Sequence, residues 1–171
     1  MNETPDYNTD IYYSGVFRAT IGFSAPHFQP PRASFFLAKF TESYFFRHYT
    51  IMTAFKSSLS QEPVLGAHGN VILVSRCKAG SWVQKTYVWS HMAQRPWGTD
   101  VPRQCAKCGC LRPWKTPTQH KQVIKIQCSI CGATQTFEKP EAFILEGGMG
   151  TAGQGQWCYV HRQLAKDDSS E

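Results

Sequence analysis

Carboxylates are scarce in this 171-residue chain, which has 12 Asp and Glu against 18 Lys and Arg. None lies between Glu62 and Asp100, several lie near the ends of the chain, and Asp10, Glu42, Glu62, Glu141 and Glu146 are scattered singly. A metal-dependent nuclease or transposase core needs clustered carboxylates to hold its ions. Part of such an enzyme is therefore the least supported of the functions considered, and no residue is assigned as catalytic.

Long apolar runs are also missing. No stretch approaches 18 consecutive apolar residues, so we expect no transmembrane helix and no membrane partner. The first six residues are polar and acidic and lack the basic and apolar regions of a signal peptide. The seven cysteines are an odd number, and we expect reduced thiols in an intracellular protein, nuclear or cytoplasmic.

A convincing nucleophile or phosphate-binding motif is lacking as well. His68 and Cys77 stand at opposite ends of one predicted strand, about 30 Å apart, so they cannot form a catalytic dyad. The glycine-rich segment 147–155 lacks the Gly-Lys-Ser/Thr ending of a P-loop. We interpret this segment as a surface loop.

Four of the cysteines form two copies of one short pattern. Cys105-Ala-Lys-Cys108-Gly and Cys128-Ser-Ile-Cys131-Gly begin 23 residues apart. Two residues between thiols let a tight turn direct both sulfurs at one ion, and the following glycine lets the chain turn back past it. Two such turns complete the closed tetrahedral thiolate shell of a structural Zn²⁺ site. The sequence predicts one structural zinc ion bound by these four cysteines, with no open position for catalysis.

The double pattern resembles the zinc-ribbon family over residues 103–139, about a fifth of the chain. The resemblance covers this segment alone, and the rest of the sequence resembles no family that we recognise. We call residues 103–139 the ribbon from here on.

The excess positive charge of the chain lies in the ribbon. It contains seven Lys and Arg and one acid, Glu138, whereas the remaining residues contain eleven of each sign. A ribbon has little interior, so these charges should face solvent and attract a polyanion. A purely solubilising role for the lysines is the alternative.

Basic residues interleaved with a planar ring are typical of nucleic-acid surfaces, because charge follows phosphates and rings stack on bases. The predicted nucleic-acid contacts are Arg112, Trp114, Lys115, His120, Lys121 and Lys125. Arg112 and Trp114 should share a face of the first ribbon strand, two residues apart. Trp114 has an equally supported alternative role, which is packing against the zinc knuckle.

Hydrophobic periodicity predicts the remaining elements. Apolar residues at spacings of three and four between Phe45 and Phe55 predict one main helix, which Thr41 or Ser43 would cap. The dense aromatic segment 34–40 fits either a strand or the start of a helix. The predicted strands span residues 15–23, 70–77, 82–90, 123–128, 133–137, 142–146 and 157–162.

These elements predict an α+β fold: a small antiparallel or mixed sheet with one main helix, plus an inserted or appended Cys₄ zinc ribbon. The predicted divisions are a tail over 1–13, a core over 14–102 and 140–165, the ribbon over 103–139, and a tail over 166–171. Insertion is favoured because the last two predicted strands cannot form a core alone.

The function that the sequence favours is a zinc-containing module that binds DNA or RNA through its basic ribbon. The alternative is a protein-interaction module of a larger complex. Salt distinguishes the two, because phosphate contacts weaken steeply as salt rises.

Overall fold

Two antiparallel sheets and a group of short helices make up the fold, so the predicted α+β class is confirmed. A computed structural model describes residues 18–24, 30–77, 80–151 and 155–164. The strands are β1 Ala19–Phe23, β2 Val71–Arg76, β3 Trp82–Ser90, β4 Thr118–His120, β5 Val123–Gln127, β6 Thr134–Glu138, β7 Ile144–Thr151 and β8 Gly155–Gln163. The helices are α1 Pro30–Thr41, α2 Ile51–Ser60 and α3 Pro63–His68, with a π turn at Glu42–Phe46 and a 3₁₀ turn at Pro96–Gly98.

The larger sheet has the strand order β1-β2-β3-β8-β7, and every neighbouring pair is antiparallel. Strand β8 runs beside β3 from Val83 opposite Gln163 to Ser90 opposite Gln156. The chain therefore leaves this sheet after β3, forms the ribbon, and returns to the same sheet at β7. The division of residues into core, ribbon and tails stays a prediction, and both predicted tails lie outside the described residues.

One expectation from the sequence needs correction in this sheet, and another is described only in part. Most of the glycine-rich segment 147–155 is strand rather than loop, since β7 continues to Thr151 and β8 begins at Gly155. The predicted strand over 15–23 is described only from Arg18 onward, where β1 covers its second half.

The single main helix predicted to begin near Thr41 is wrong. The helix α1 begins earlier, at Pro30, and a π turn follows it directly. The helical conformation is interrupted at His48, whose φ of 54° lies in the left-handed region. A separate helix, α2, begins at Ile51. Thr50 caps α2, since its side-chain oxygen accepts a hydrogen bond of 3.2 Å from the Thr53 amide.

The break changes which aromatic residues are buried. Phe45 and Tyr49 were expected on a buried stripe, yet they are 62% and 43% exposed. Phe55 is fully buried. It packs edge-on against Phe36 of α1, with ring centroids 5.5 Å apart.

The main core lies between the helices and the larger sheet. Phe36, Phe55 and Leu59 from the helices join the buried cluster that contains Leu73 of β2 and Trp157 of β8. Among the described residues, no helix is long and apolar enough to cross a membrane.

The smaller sheet has the order β4-β5-β6 and belongs to the ribbon. Its inner face carries the buried side chains of Ile124 and Ile126. Ile124 packs with Trp97 and Cys158 in a second buried cluster, which joins the ribbon to β8. The opposite face of the smaller sheet is open to solvent.

Candidate metal centre and basic surface

The four predicted metal ligands converge on one point. The sulfur atoms of Cys105, Cys108, Cys128 and Cys131 all lie within 4.8 Å of one another. Two of the distances, Cys105 Sγ to Cys131 Sγ and Cys108 Sγ to Cys128 Sγ, are both 3.7 Å. A tetrahedral ion with metal–sulfur bonds of about 2.3 Å requires sulfur–sulfur edges of about 3.8 Å. A disulfide would require about 2.05 Å. The cluster is therefore four free thiols at the spacing of a tetrahedral metal site.

Each pair of thiols lies on a turn, and the two turns have the same backbone hydrogen bonds. In the first knuckle (residues 105–110) the Gly109 amide donates to the Cys105 carbonyl at 2.8 Å. In the second (residues 128–133) the Gly132 amide donates to the Cys128 carbonyl at 3.1 Å. Both glycines have φ of 71°, a left-handed conformation that glycine adopts without strain and that turns the chain back as expected. The match indicates that the double pattern encodes one repeated structure.

A third residue is repeated in the two knuckles and was not predicted from the sequence. A glutamine precedes the first cysteine of each knuckle, and its side chain closes the turn. Gln104 Nε2 donates to the Gly109 carbonyl at 2.7 Å, and Gln127 Nε2 donates to the Gly132 carbonyl at 3.3 Å. The repeat is thus Gln-Cys-x-x-Cys-Gly, and the identical residue at the identical offset was the available signal.

Backbone amides of the knuckles favour the thiolate form at two of the four cysteines, whereas desolvation and hydrogen bonds with the neighbouring thiols raise the pKa of Cys108. The backbone amide of Cys131 faces the Cys128 sulfur and is the main reason that the pKa of Cys128 falls to about 6. The backbone amide of Cys108 likewise lowers the pKa of Cys105. Cys105 and Cys128 are also the two buried members of the set. These four donors fit a metal ion with a closed thiolate shell.

The other cysteines lie outside the cluster. Cys110 follows the first knuckle, and its carbonyl accepts a hydrogen bond of 3.0 Å from the Cys105 amide. Cys158 is fully buried in the second core cluster, and this burial raises its pKa to about 11. The metal-ligand geometry found among the described residues involves only the four knuckle thiols.

The predicted pairing of Arg112 and Trp114 on one strand face is wrong. Arg112 has φ of 48° and lies in a bend, so it does not continue a strand to Trp114. The first strand of the smaller sheet begins later, at Thr118.

Trp114 is held within the protein. Its backbone bridges to Cys128 beside the metal cluster, and its indole nitrogen donates to the Pro102 carbonyl at 2.7 Å. The side chain is partly buried. These contacts favour the alternative role, packing against the knuckle.

The basic residues separate into two groups along the ribbon. His120 and Lys121 lie at the β4–β5 turn, where Lys121 has φ of 54°, and Lys125 lies on β5. Lys115 lies at the opposite end, because its amide donates to the Gln127 carbonyl at 2.8 Å beside the second knuckle. Arg112 is at the same end.

Two further cations, not predicted as contacts, join this second group. The Arg112 amide donates to the Arg103 carbonyl at 2.7 Å, so the two arginines are neighbours. Lys107 lies within the first knuckle. We call Arg103, Lys107, Arg112 and Lys115 the metal-end cations.

The metal-end cations are all exposed, and none takes part in an ion pair among the described residues. No acid occurs from residue 103 to residue 137. Glu138 is the last residue of β6, about 13 Å along that strand from its knuckle end at Thr134. The metal end of the ribbon therefore carries four positive charges that no ion pair offsets among the described residues.

The open face of the smaller sheet carries a cleft of about 420 Å³. Strand register places His120, Val123 and Glu138 in one row across the sheet and Thr118, Lys125 and Thr136 in the next row. All six side chains line the cleft. Lys125 and His120, predicted as contacts, thus lie together on this face, away from the metal-end cations.

Two large apolar side chains are exposed beside the knuckles. Leu111 is 74% exposed and directly follows the first knuckle, and Ile130 is 67% exposed within the second.

Comparison with models of known families, with curated proteins and with solved structures finds no significant match for this chain.

Proposed function

We propose that this chain is a zinc-stabilised module that binds nucleic acid, and that the metal end of its ribbon contacts the phosphate backbone. The observation that carries the proposal is the set of four exposed metal-end cations, none of which forms an ion pair among the described residues. Such a set attracts phosphates, and counterion release supplies the binding free energy.

Zinc is the proposed metal because of its donor set. Four thiolates in a tetrahedral arrangement suit Zn²⁺ or iron, and zinc forms closed structural shells with this set. The ion would fix the two knuckles relative to each other and so hold the four cations in place. Elemental analysis of the purified protein should give one zinc per chain. Iron would appear as a visible absorption band and would overturn the assignment to zinc.

The number of phosphate contacts predicts how steeply the binding constant falls as salt rises. Each contact changes the slope of log K against log salt by about 0.9 for a DNA duplex and about 0.7 for a single strand. Replacing all four metal-end cations with Gln should flatten the slope by about 3.6 for duplex and about 2.8 for single-stranded substrate if every one contacts phosphate. Fluorescence anisotropy across a salt series measures this.

A control variant with the same change in charge separates local contact from general attraction. Arg32, Lys39, Arg76 and Arg162 lie on the helices and the larger sheet, outside the ribbon. Changing them to Gln should alter the slope much less. Equal slopes for the two variants would contradict the proposed surface, and so would undiminished binding by the metal-end variant.

A protein-interaction role is the second candidate, and the exposure of Leu111 and Ile130 favours it. Apolar contacts respond weakly to salt, unlike phosphate contacts. Binding to a protein partner that persists in about 0.5 M salt and is lost in a Leu111→Ser, Ile130→Ser variant would favour this role.

A further inference from the structure

We infer that the cleft on the open face of the ribbon sheet binds one unpaired guanine nucleotide, with Glu138 as the residue that selects the base. This inference rests on the proposed function and adds base selection to it. Glu138 is the only acid in the sequence of the ribbon.

A carboxylate is unfavourable beside His120 and Lys125, two of the predicted nucleic-acid contacts, because it repels phosphate. Glu138 is exposed, lines the cleft, and has no ion pair or hydrogen bond from its side chain among the described residues. Its two oxygens are therefore available to accept hydrogen bonds from a ligand.

The rows of the sheet give the cleft an apolar floor between two polar sides. Val123 lies between His120 and Glu138, each one strand spacing of about 4.8 Å away. A planar base can lie on the Val123 side chain with one edge toward Glu138. The cleft volume of about 420 Å³ is in the range of roughly 300–1,000 Å³ typical of small-molecule sites.

The next row supplies the partner for the nucleotide's phosphate. Lys125 lies two residues along β5 from Val123, about 6.7 Å further on, with Thr118 and Thr136 on either side. A nucleotide whose base rests on Val123 can extend its sugar and phosphate toward this lysine. The cleft thus offers an acceptor at one end and a cation with two hydroxyl groups at the other.

Hydrogen-bond chemistry indicates which base the carboxylate of Glu138 would select. The Watson–Crick edge of guanine presents two adjacent N–H donors, N1–H and the N2 amine, which match the two oxygens of one carboxylate. Uracil and thymine present a single N–H between two oxygens, while adenine and cytosine pair an amine with a ring nitrogen that would repel the carboxylate. In duplex this edge of guanine is already paired, so the site takes an unpaired base.

The test uses short single-stranded oligonucleotides of thymidine with one central position that is guanine, inosine or thymine. The protein is the full chain, unchanged or carrying Glu138→Gln, and fluorescence anisotropy measures affinity. The unchanged protein should bind the guanine oligonucleotide roughly 5- to 100-fold more tightly than the thymine one. Inosine, which lacks the N2 amine, should fall between them.

Glu138→Gln should change the two affinities in opposite directions. Loss of the carboxylate weakens guanine binding, while loss of its negative charge strengthens binding of the thymine oligonucleotide. Glu141→Gln is the matched control, since it removes the same charge from an exposed residue outside the ribbon sheet. It should keep the guanine preference.

Three outcomes would overturn the inference. Equal affinity of the unchanged protein for guanine and thymine is one, and a guanine preference retained by Glu138→Gln is the second. In both, salt-dependent binding of all the oligonucleotides would leave the proposed function standing. The third outcome, no binding of any oligonucleotide at low salt, would overturn both proposals.

Discussion

Replacing either knuckle glycine with alanine should weaken metal binding by about 5- to 30-fold. Gly109 and Gly132 both have φ of 71°. A Cβ at Gly132 would meet no atom within 4 Å, and one at Gly109 would lie 3.7 Å from Gln104 Nε2, an ordinary contact. Because neither substitution causes a clash, the cost is that of left-handed backbone alone, about 1–2 kcal/mol, and 1.4 kcal/mol corresponds to about tenfold.

Competition with a chromogenic chelator of known zinc affinity measures this loss. Gly132→Asn should lose less affinity than Gly132→Ala, because asparagine tolerates the left-handed region better. Gly80, before β3, is the matched control: its φ is 86° and a Cβ there would also meet nothing within 4 Å. Gly80→Ala should lower the free energy of unfolding by a similar amount while leaving metal affinity unchanged.

Two results would refute this reasoning. If Gly132→Ala bound metal as tightly as the unchanged protein, the left-handed turn would not be needed for coordination. If Gly80→Ala lost as much metal affinity as Gly132→Ala, the effect would reflect general stability rather than the geometry of the knuckle.

Two further predictions concern the ribbon. Removing the proposed metal ion with a chelator should expose the amides of β5 and β6 to rapid hydrogen exchange while those of β2 and β3 stay protected, because the ion would supply much of the ribbon's folding free energy. Equal loss of protection in both sheets would contradict this. Trp114→Phe should lower the free energy of unfolding by about 0.5–1.5 kcal/mol through loss of the hydrogen bond to Pro102, with no change in oligonucleotide affinity; weaker binding at unchanged stability would instead support base stacking.

The cluster of four thiols could be predicted from the sequence because the geometry of each knuckle is local. Each knuckle needs only two thiols, two intervening residues and a glycine in the left-handed region, and all of these are visible within five consecutive residues. Tertiary placement was needed only to bring the two knuckles together, and a single shared ion implies that step.

The basic surface could be predicted only in outline. Its net charge follows from composition, but the division into a metal end and an open face depends on the fold. Arg103 and Arg112 become neighbours through a backbone hydrogen bond. The bend at Arg112 has no signal in the sequence, since arginine seldom adopts a positive φ.

The prediction of a single main helix was wrong for a similar reason. Apolar spacing around Phe45 satisfies the period of a helix although that side chain is 62% exposed. The helix is interrupted at His48, whose backbone is left-handed. A glycine at this position would have indicated the interruption, because glycine is the residue that usually adopts this conformation. Pro30 and Pro31 occupy the first turn of α1, where a missing amide costs nothing.

The position of the ribbon between β3 and β7 has a consequence for the order of folding. Ser90 and Gln156 pair in adjacent strands although 65 residues separate them, and the ribbon accounts for 37 of these. A ribbon already folded around its ion would shorten the flexible connection to about 28 residues, lowering the entropy cost of closing it by about 0.75 kcal/mol. If the metal binds before β8 pairs with β3, the larger sheet should then form about threefold faster. The ion would thus speed the folding of a sheet that contains none of its ligands.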